Sequence, residues 1–293
     1  MASLTALHNR LSPILSPAHP SFPFAPIDII GAMRLSSVIN WIATGAFDPP
    51  STPSSKNKKG SSVVTKKARA SIWQELAGLM IVVFGGETFL SMCTGSTPSW
   101  LVTPNIALLF CAVHVIQSRT PFAQLLPKKP SLPFELFMAI PDAIGRTLLL
   151  TRFSVIPLLY PAATTPKPLP ATPASLVLVP FILAVPFASI AFSTFNFFQS
   201  TLSLTTPVEL KPKGWMLVDT WCPLLISPLF LTLIGPVEGW NTGLGWTENE
   251  SVVACMVVLW ACFTGRAIYN FGYKKEHWLN LLGISQEIKT KKE

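Results

Sequence analysis

The alternation of long apolar segments with basic connections limits the folds open to this chain more than any other feature. Seven apolar stretches lie at 24–46, 71–94, 103–118, 132–151, 174–196, 215–235 and 251–271. Each is close to the ~20 residues that a helix needs to cross a bilayer. Half of the residues are apolar and only 12% are charged, more apolar surface than a soluble domain of this length could bury. The pattern predicts an all-α membrane protein with seven transmembrane helices.

The placement of lysine and arginine predicts the orientation of these helices. Alternate connections and the tail carry most of the basic residues, namely Lys56, Lys58, Lys59, Lys66, Lys67, Arg69, Arg119, Lys128, Lys129, Lys211, Lys213, Lys274, Lys275, Lys289, Lys291 and Lys292. The opposite connections hold Arg10, Arg152 and Lys167. Because basic loops stay in the cytosol, we expect a lumenal N-terminus and a cytosolic C-terminus. Residues 1–21 are predicted to be disordered in the lumen, and residues 274–293 to form a cytosolic tail.

Composition and motifs argue against several classes of function. The net charge of +8 resides in short loops beside apolar segments, which indicates contact with anionic lipid and not with nucleic acid. The five cysteines lie within apolar segments without metal-ligand spacing. No hydrolase, redox or phosphate-binding signature is found. We therefore expect no enzyme, no metal site and no cofactor, and we expect membrane lipids as partners.

Short motifs recur in the same order in two parts of the chain, which suggests an internal duplication. The matched pairs are Pro20–Phe24 with Pro130–Phe134, Phe84–Gly86 with Phe187–Ser189, and Thr103-Pro104 with Thr206-Pro207. Three helices in each half is an odd number, so the halves must cross the membrane in opposite senses. Inverted repeats of this kind build channels and transporters, with the pathway at the repeat interface. The prediction is a transmembrane domain over 22–273, with repeat one at 22–121, repeat two at 130–235 and an extra helix at 251–271.

Polar and small residues inside apolar helices are candidates for the pathway. Glu87 follows Gly85-Gly86 in the second segment, and a charge at this depth is costly unless it faces a partner or water. The matching position in the fifth segment is Ala188-Ser189, just after a proline. Helix breaks at these two places could present backbone carbonyls and a hydroxyl to a cation. Alternatively, the small residues serve only to let the helices pack closely.

Other polar residues in or beside the apolar segments have alternative explanations as well. Asp142 and Arg146 are four residues apart on one helical face and are predicted to pair, either for gating or simply to stabilise the bundle. Arg34 lies where its long side chain could snorkel. His114 is predicted to be a satisfied core histidine. Asn249 begins the glycosylation sequon Asn-Glu-Ser in a connection without lysine or arginine, which is compatible with a lumenal position.

Several of these motifs resemble the trimeric intracellular cation channel family. The similar stretches, in order, are Phe22–Asp28, Ala70–Trp73, Phe84–Gly86, Leu132–Phe134 and Asn196–Gln199. Their order along seven helices carries the resemblance, which runs from about Phe22 to Tyr273. The fourth helix departs from the family, because its Lys-Glu-Val motif and following arginine correspond here to Asp142–Arg146, in which only the arginine remains.

The resemblance implies a homotrimer with one pore per subunit that conducts K⁺ and other monovalent cations. It also implies the endoplasmic reticulum or another intracellular membrane, and a counter-ion flux that supports Ca²⁺ release. Asn196 joins the predicted pore residues, Asp142 and Arg146 become candidates for gating or lipid contact, and a phosphoinositide becomes the candidate lipid ligand. Two alternatives stay open: a secondary transporter with inverted repeats, and a structural membrane protein that does not conduct.

Overall fold

The computed structural model describes residues 2–17, 19, 22–46, 69–163, 165–200, 203–206 and 218–272. In these ranges the regular elements are helices, which confirms the predicted all-α class. They are α1 Ala2–Leu15, α2 Pro26–Ala43, α3 Ile72–Thr94, α4 Ser99–Val102, α5 Asn105–Arg119, α6 Leu132–Leu150, α7 Val155–Leu159, α8 Pro173–Ala184, α9 Phe192–Phe195, α10 Val218–Ile234 and α11 Glu248–Ala267. The basic connection at 47–68, the segment 207–217 and the tail from 273 lie outside the described residues, so the predictions made for them remain predictions.

Among the described residues, three helices are long and apolar enough to cross a membrane. They are α3, α8 together with the π-helical turn Pro186–Ala191, and α11 together with the π-helical turn Ile268–Gly272. Two further helices, α5 and α10, are apolar but shorter. The chain therefore carries several apolar helices of the kind found in membrane-embedded proteins, and the count of seven crossings remains a prediction.

The N-terminal segment corrects one prediction. In place of the predicted disorder, Ala2–Leu15 form α1, which packs on α11 and on α2. Leu11, Ile14 and Leu15 are spaced to share one helical face, and they pack against the main hydrophobic core. The Thr5 hydroxyl also donates a hydrogen bond of 3.2 Å to Glu250 in the first turn of α11. This apolar spacing, which the prediction of disorder did not take into account, lets α1 bury one face against the bundle.

In the described part of the chain the core consists of two clusters. The larger joins α6, α8, α10 and α11 around fully buried Ile226, Phe230 and Leu259. The smaller joins α2 and α3 through Ile39 and Leu79 and also includes Phe198, which follows α9. Between the halves, α2 packs on α6 while α3 packs on α8 and on the π-helical turn that follows it.

The contact between α3 and α8 depends on two glycines. α3 runs without interruption from Ile72 to Thr94, so the helix break predicted at Gly85-Gly86 is absent. A Cβ added at Gly86 would overlap the backbone of Leu183, and one added at Gly85 would lie 2.5 Å from the Phe187 ring. These glycines therefore act here as close-packing residues. The predicted interruption in the fifth segment is found, because α8 gives way to the π-helical turn after Ala184.

Candidate functional site

A cavity of about 460 Å³ lies between α2, α6, α10, α11 and the π-helical turn that follows α8. Six charged residues, three arginines and three acids, line this charged cavity: Arg34, Glu135, Asp142, Arg146, Asp219 and Arg266. Ala188 and Ser189, two of the predicted pore residues, line it as well. The charges balance, so the cavity is strongly polar without a net formal charge from these residues.

Arg34 of α2 forms the first part of the network in the charged cavity. Its guanidinium group binds both carboxylate oxygens of Glu135, at 2.6 and 2.9 Å, and its Nε lies 3.2 Å from Asp142. The Arg34 side chain is 12% exposed and also lies over the rings of Trp41 and Phe134. Arg34 is thus bound inside the bundle, where it ties α2 to α6, in place of the snorkelling that its position near the end of the segment allowed.

Asp219 of α10 forms the second part of the network. One of its oxygens lies 2.9 Å from Arg146 of α6, and the other accepts a hydrogen bond of 2.5 Å from Arg266 of α11. Arg266 also approaches Asp142 at 3.9 Å, so Asp142 links the two parts. The predicted pair between Asp142 and Arg146 is therefore wrong, because each of them binds partners on other helices. Charged groups on the neighbouring helices lie closer to these two side chains than the two lie to each other one turn apart on α6.

Three members of this network were not singled out in the sequence. Glu135 and Asp219 lie in the first turn of α6 and α10, and Arg266 lies in the last turn of α11. Acids at helix starts and bases at helix ends are favoured by the helix dipole, so they look unremarkable in a sequence. Their grouping becomes visible only when the helices are packed.

The network also limits what the charged cavity can bind. Each of its three carboxylates already lies beside an arginine, whose positive charge would repel a metal ion. In the part of the chain that the structure describes, no three His, Cys, Asp or Glu residues are grouped to hold a metal. The arrangement favours an interhelical connection over metal chemistry.

A second cavity, of about 240 Å³, contains Glu87 and is called the Glu87 cleft below. Its walls come from the second half of α3, from the connection after α6 and from α8, and include Ser91, Phe153 and Leu183. One Glu87 oxygen accepts a hydrogen bond from the backbone N–H of Ser99, the first residue of α4. The cleft thus places a carboxylate at a partly open surface between the two halves.

The two cavities lie toward opposite ends of the bundle and approach each other at α8. Leu183 lines the Glu87 cleft, while the next residue, Ala184, lines the charged cavity. Gly86 of α3 packs directly on the backbone of Leu183. The close contact between α3 and α8 thus lies at the residue where the Glu87 cleft approaches the charged cavity.

The remaining predicted site residues lie outside both cavities. Asn196 has a left-handed backbone, with φ of 48°, and ends α9. Its side-chain amide donates to Gln199 and Ser203, so its role in the structure is to hold a turn. Asn249 is exposed in the first turn of α11 and accepts a hydrogen bond of 2.6 Å from Arg152.

A separate buried cluster surrounds Glu75, near the start of α3. The carboxylate is fully buried and binds Arg69 at 2.6 and 2.9 Å, Arg119 at 3.3 Å and His114 at 3.2 Å. The other ring nitrogen of His114 lies 2.9 Å from the Ser36 hydroxyl. Since both ring nitrogens are occupied, the prediction of a satisfied core histidine is confirmed, and the cluster joins α2, α3 and α5.

Comparison of the chain with protein-family models, with curated proteins and with solved structures finds no match in any of the three.

Replacing Asp219 by Asn is expected to lower the free energy of unfolding by about 2 kcal/mol. The change leaves Arg146 and Arg266 without their main counter-charge, and partial exposure keeps the loss below the ~3–5 kcal/mol of a fully buried pair. Glu248→Gln, which breaks an exposed pair with Arg152, is the matched control and should cost at most about 1 kcal/mol. Denaturation of the purified proteins measures both, and equal losses would mean that the network contributes no more than a surface pair.

Proposed function

We propose that the protein is a cation channel of an intracellular membrane that conducts K⁺ and other monovalent cations. The observation that carries the proposal is the pair of cavities at opposite ends of the bundle, which meet at Leu183 and Ala184 of α8. Both cavities lie where the two halves of the chain face each other. In proteins built from inverted repeats, the pathway runs along that interface.

The packing of the helices supports the inverted-repeat arrangement. In the matched order of the motifs, α2 corresponds to α6 and α3 corresponds to α8, and these corresponding helices pack on each other. A pseudo-two-fold axis between two halves brings equivalent elements together in this way. We propose seven crossings, formed by α2, α3, α5, α6, α8 with its π-helical turn, α10 and α11.

The proposed orientation assigns each cavity to one side of the membrane. The basic connection at 119–130 precedes α6, and Glu135 lies in the first turn of that helix. Arg266 lies in the last turn of α11, before the basic tail. If basic segments are cytosolic, the charged cavity opens to the cytosol and the Glu87 cleft opens to the lumen.

Within this proposal the residues have distinct roles. Glu87 supplies a negative field at the lumenal side, which favours cations over anions. The contact of Gly86 with Leu183 closes the path, so conduction requires α3 and α8 to separate there. On the cytosolic side Asp142 and Arg146 hold α6 to its neighbours, and a change in their partners would alter the width of the charged cavity. Gating and phosphoinositide contact at these two residues are part of the proposal.

The resemblance to the trimeric intracellular cation channels supplies the rest of the proposal. It supports a homotrimer with one pore in each subunit, residence in the endoplasmic reticulum, and a counter-ion flux during Ca²⁺ release. Asn196, which the resemblance placed in the pore, holds a turn away from both cavities and is not proposed as a pore residue.

Purified protein in a planar bilayer with a K⁺ gradient is expected to pass a sustained current without any co-substrate. Glu87→Gln should shift the reversal potential toward that of Cl⁻, because the negative field at the cleft is lost. The control is Glu248→Gln, which removes an acid that lines neither cavity. Absence of current in well-folded protein would exclude the channel, and an unchanged reversal potential in Glu87→Gln would place the path elsewhere.

One observation also favours a secondary transporter, the second candidate. Two cavities that approach each other at one helix from opposite ends of the bundle are what alternating access between two sides requires. Flux that depends on a co-substrate or an ion gradient, at rates far below those of a channel, would support this candidate. Absence of both current and flux would favour the remaining alternative, a structural membrane protein that does not conduct.

A further inference from the structure

We propose that the Glu87 cleft is a binding site for small organic ammonium ions, each with one positive charge and a short apolar body. The site would bind such a ligand whether or not the protein conducts, so the inference goes beyond the proposed function. Three features carry it: a carboxylate without a cationic partner, neighbouring hydroxyl groups, and an apolar opposite wall.

The carboxylate of Glu87 differs from the four acids of the two charged clusters. Glu75, Glu135, Asp142 and Asp219 each lie beside at least one arginine. Among the described residues Glu87 has no such partner, and the residues that line its cleft include no lysine, arginine or histidine. One carboxylate oxygen accepts from Ser99, and the other has no hydrogen-bond partner within the described ranges. The carboxylate of Glu87 therefore has no positively charged side chain beside it in the cleft.

Hydroxyl groups lie on the same side of the cleft as this carboxylate. Ser91 is four residues after Glu87 on α3, one helical turn away on the same face, and it lines the cleft. Thr94 and Ser96, whose hydroxyls lie 2.8 Å apart, line it as well. An ammonium group has three donors and no acceptor, so a carboxylate with adjacent hydroxyls matches its hydrogen-bonding capacity.

The opposite wall is apolar, so it favours a ligand whose body is apolar. Leu158, Leu169, Val179 and Leu183 come from the connection after α6 and from α8. Burying apolar surface there is favourable by roughly 25 cal/mol per Å² for an alkyl chain. A hydrated inorganic ion gains nothing from such a wall. Divalent metal ions in proteins are usually bound by several carboxylate or carbonyl oxygens, whereas the lining side chains of this cleft offer one carboxylate.

The size of the cleft limits the ligand to a small molecule. Its volume of about 240 Å³ lies below the ~300 Å³ at which pockets for drug-sized ligands begin. A primary amine with a chain of a few carbons meets this limit, and n-hexylammonium is a suitable probe. At neutral pH its amine is charged, as the carboxylate requires.

The test compares n-hexylammonium, n-hexanol and hexanoate on the full-length protein in detergent at fixed ionic strength. We expect n-hexylammonium to raise the melting temperature of the protein to a plateau as its concentration increases. Calorimetry should give a saturable binding isotherm. Hexanol should bind at least about tenfold more weakly, because it lacks the charge, and hexanoate should not bind. Methylammonium should also bind weakly, because it lacks the apolar body.

Variants separate this site from general partition into detergent. Glu87→Gln should weaken the binding of n-hexylammonium by about tenfold or more, whereas Glu248→Gln should leave its binding unchanged. If Glu87→Gln does not fold, Leu169→Trp, which narrows the cleft from a half-buried position in a connection, should reduce binding instead. Equal binding of hexanol and n-hexylammonium, or full binding by Glu87→Gln or by a folded Leu169→Trp, would overturn the proposal. These binding measurements do not depend on ion current. A protein that binds n-hexylammonium but does not conduct would therefore contradict the proposed channel and leave the proposed binding site intact.

Discussion

Replacement of Glu75 by Gln should lower the free energy of unfolding by about 3–5 kcal/mol. The Glu75 carboxylate is fully buried, and it is the shared counter-charge of Arg69 and Arg119 as well as a partner of His114. Gln can accept some of the same hydrogen bonds, but it cannot balance the arginine charges left beside it. Removing one partner from a buried charged cluster is costly for this reason. Chemical denaturation of the purified protein measures the loss.

Glu238→Gln is the matched control for this substitution. Glu238 is exposed between α10 and α11, and the same chemical change there should leave stability unchanged. A Glu75 variant as stable as the control would show that water enters the cluster and solvates the arginines that have lost their counter-charge. The cluster would then hold α2, α3 and α5 together far less firmly than its geometry indicates.

Substitution of Gly86 by Ala should cost about 3 kcal/mol, near the upper end for overpacking. The added methyl group would overlap the backbone of Leu183, which cannot rotate away as a flexible side chain would. Gly145→Ala on α6 is the control, because a Cβ there meets nothing within 4 Å. That substitution should be neutral or stabilising by about 0.5–1 kcal/mol, since alanine favours a helix over glycine. Thermal unfolding of both variants gives the comparison.

The Gly86 variant also tests the contact that is proposed to close the path between the two cavities. If its stability equals that of Gly145→Ala, α3 and α8 adjust easily at this point and the contact is not a fixed closure. A large loss instead means that the two helices are held together by backbone proximity. Opening a path there would then require a concerted movement of α8.

The all-α class was predictable because it depends on local composition. A run of apolar residues near 20 positions long forms a helix irrespective of its partners, and α3 and α11 agree closely with their predicted segments. The fold differed where local signals conflicted. Residues 2–15 were predicted to be disordered, but the spacing of Leu11, Ile14 and Leu15 provided an apolar face that the core could bury.

The candidate site was only partly predictable, because it depends on pairings between helices. The sequence identified Glu87 and Ser189, and these residues do line cavities. It could not identify Asp219 as the partner of Arg146, since the two are on different helices and far apart in sequence. The same limit explains why Asp142 was paired with its neighbour on α6. Gly85 and Gly86 were selected correctly as unusual, but only packing shows that they bring two backbones together.

The docking of α1 has a consequence for the order of events during synthesis. Thr5 of α1 and its hydrogen-bond partner Glu250 in α11 are 245 residues apart in the sequence. During translation α1 therefore has no complete docking site until α11 has been synthesised, and its apolar side stays uncovered while the helices between them are made. A ribosome that stalls before residue 248 leaves α1 in that state. The contact between α1 and α11 therefore forms only after both halves of the bundle have been made.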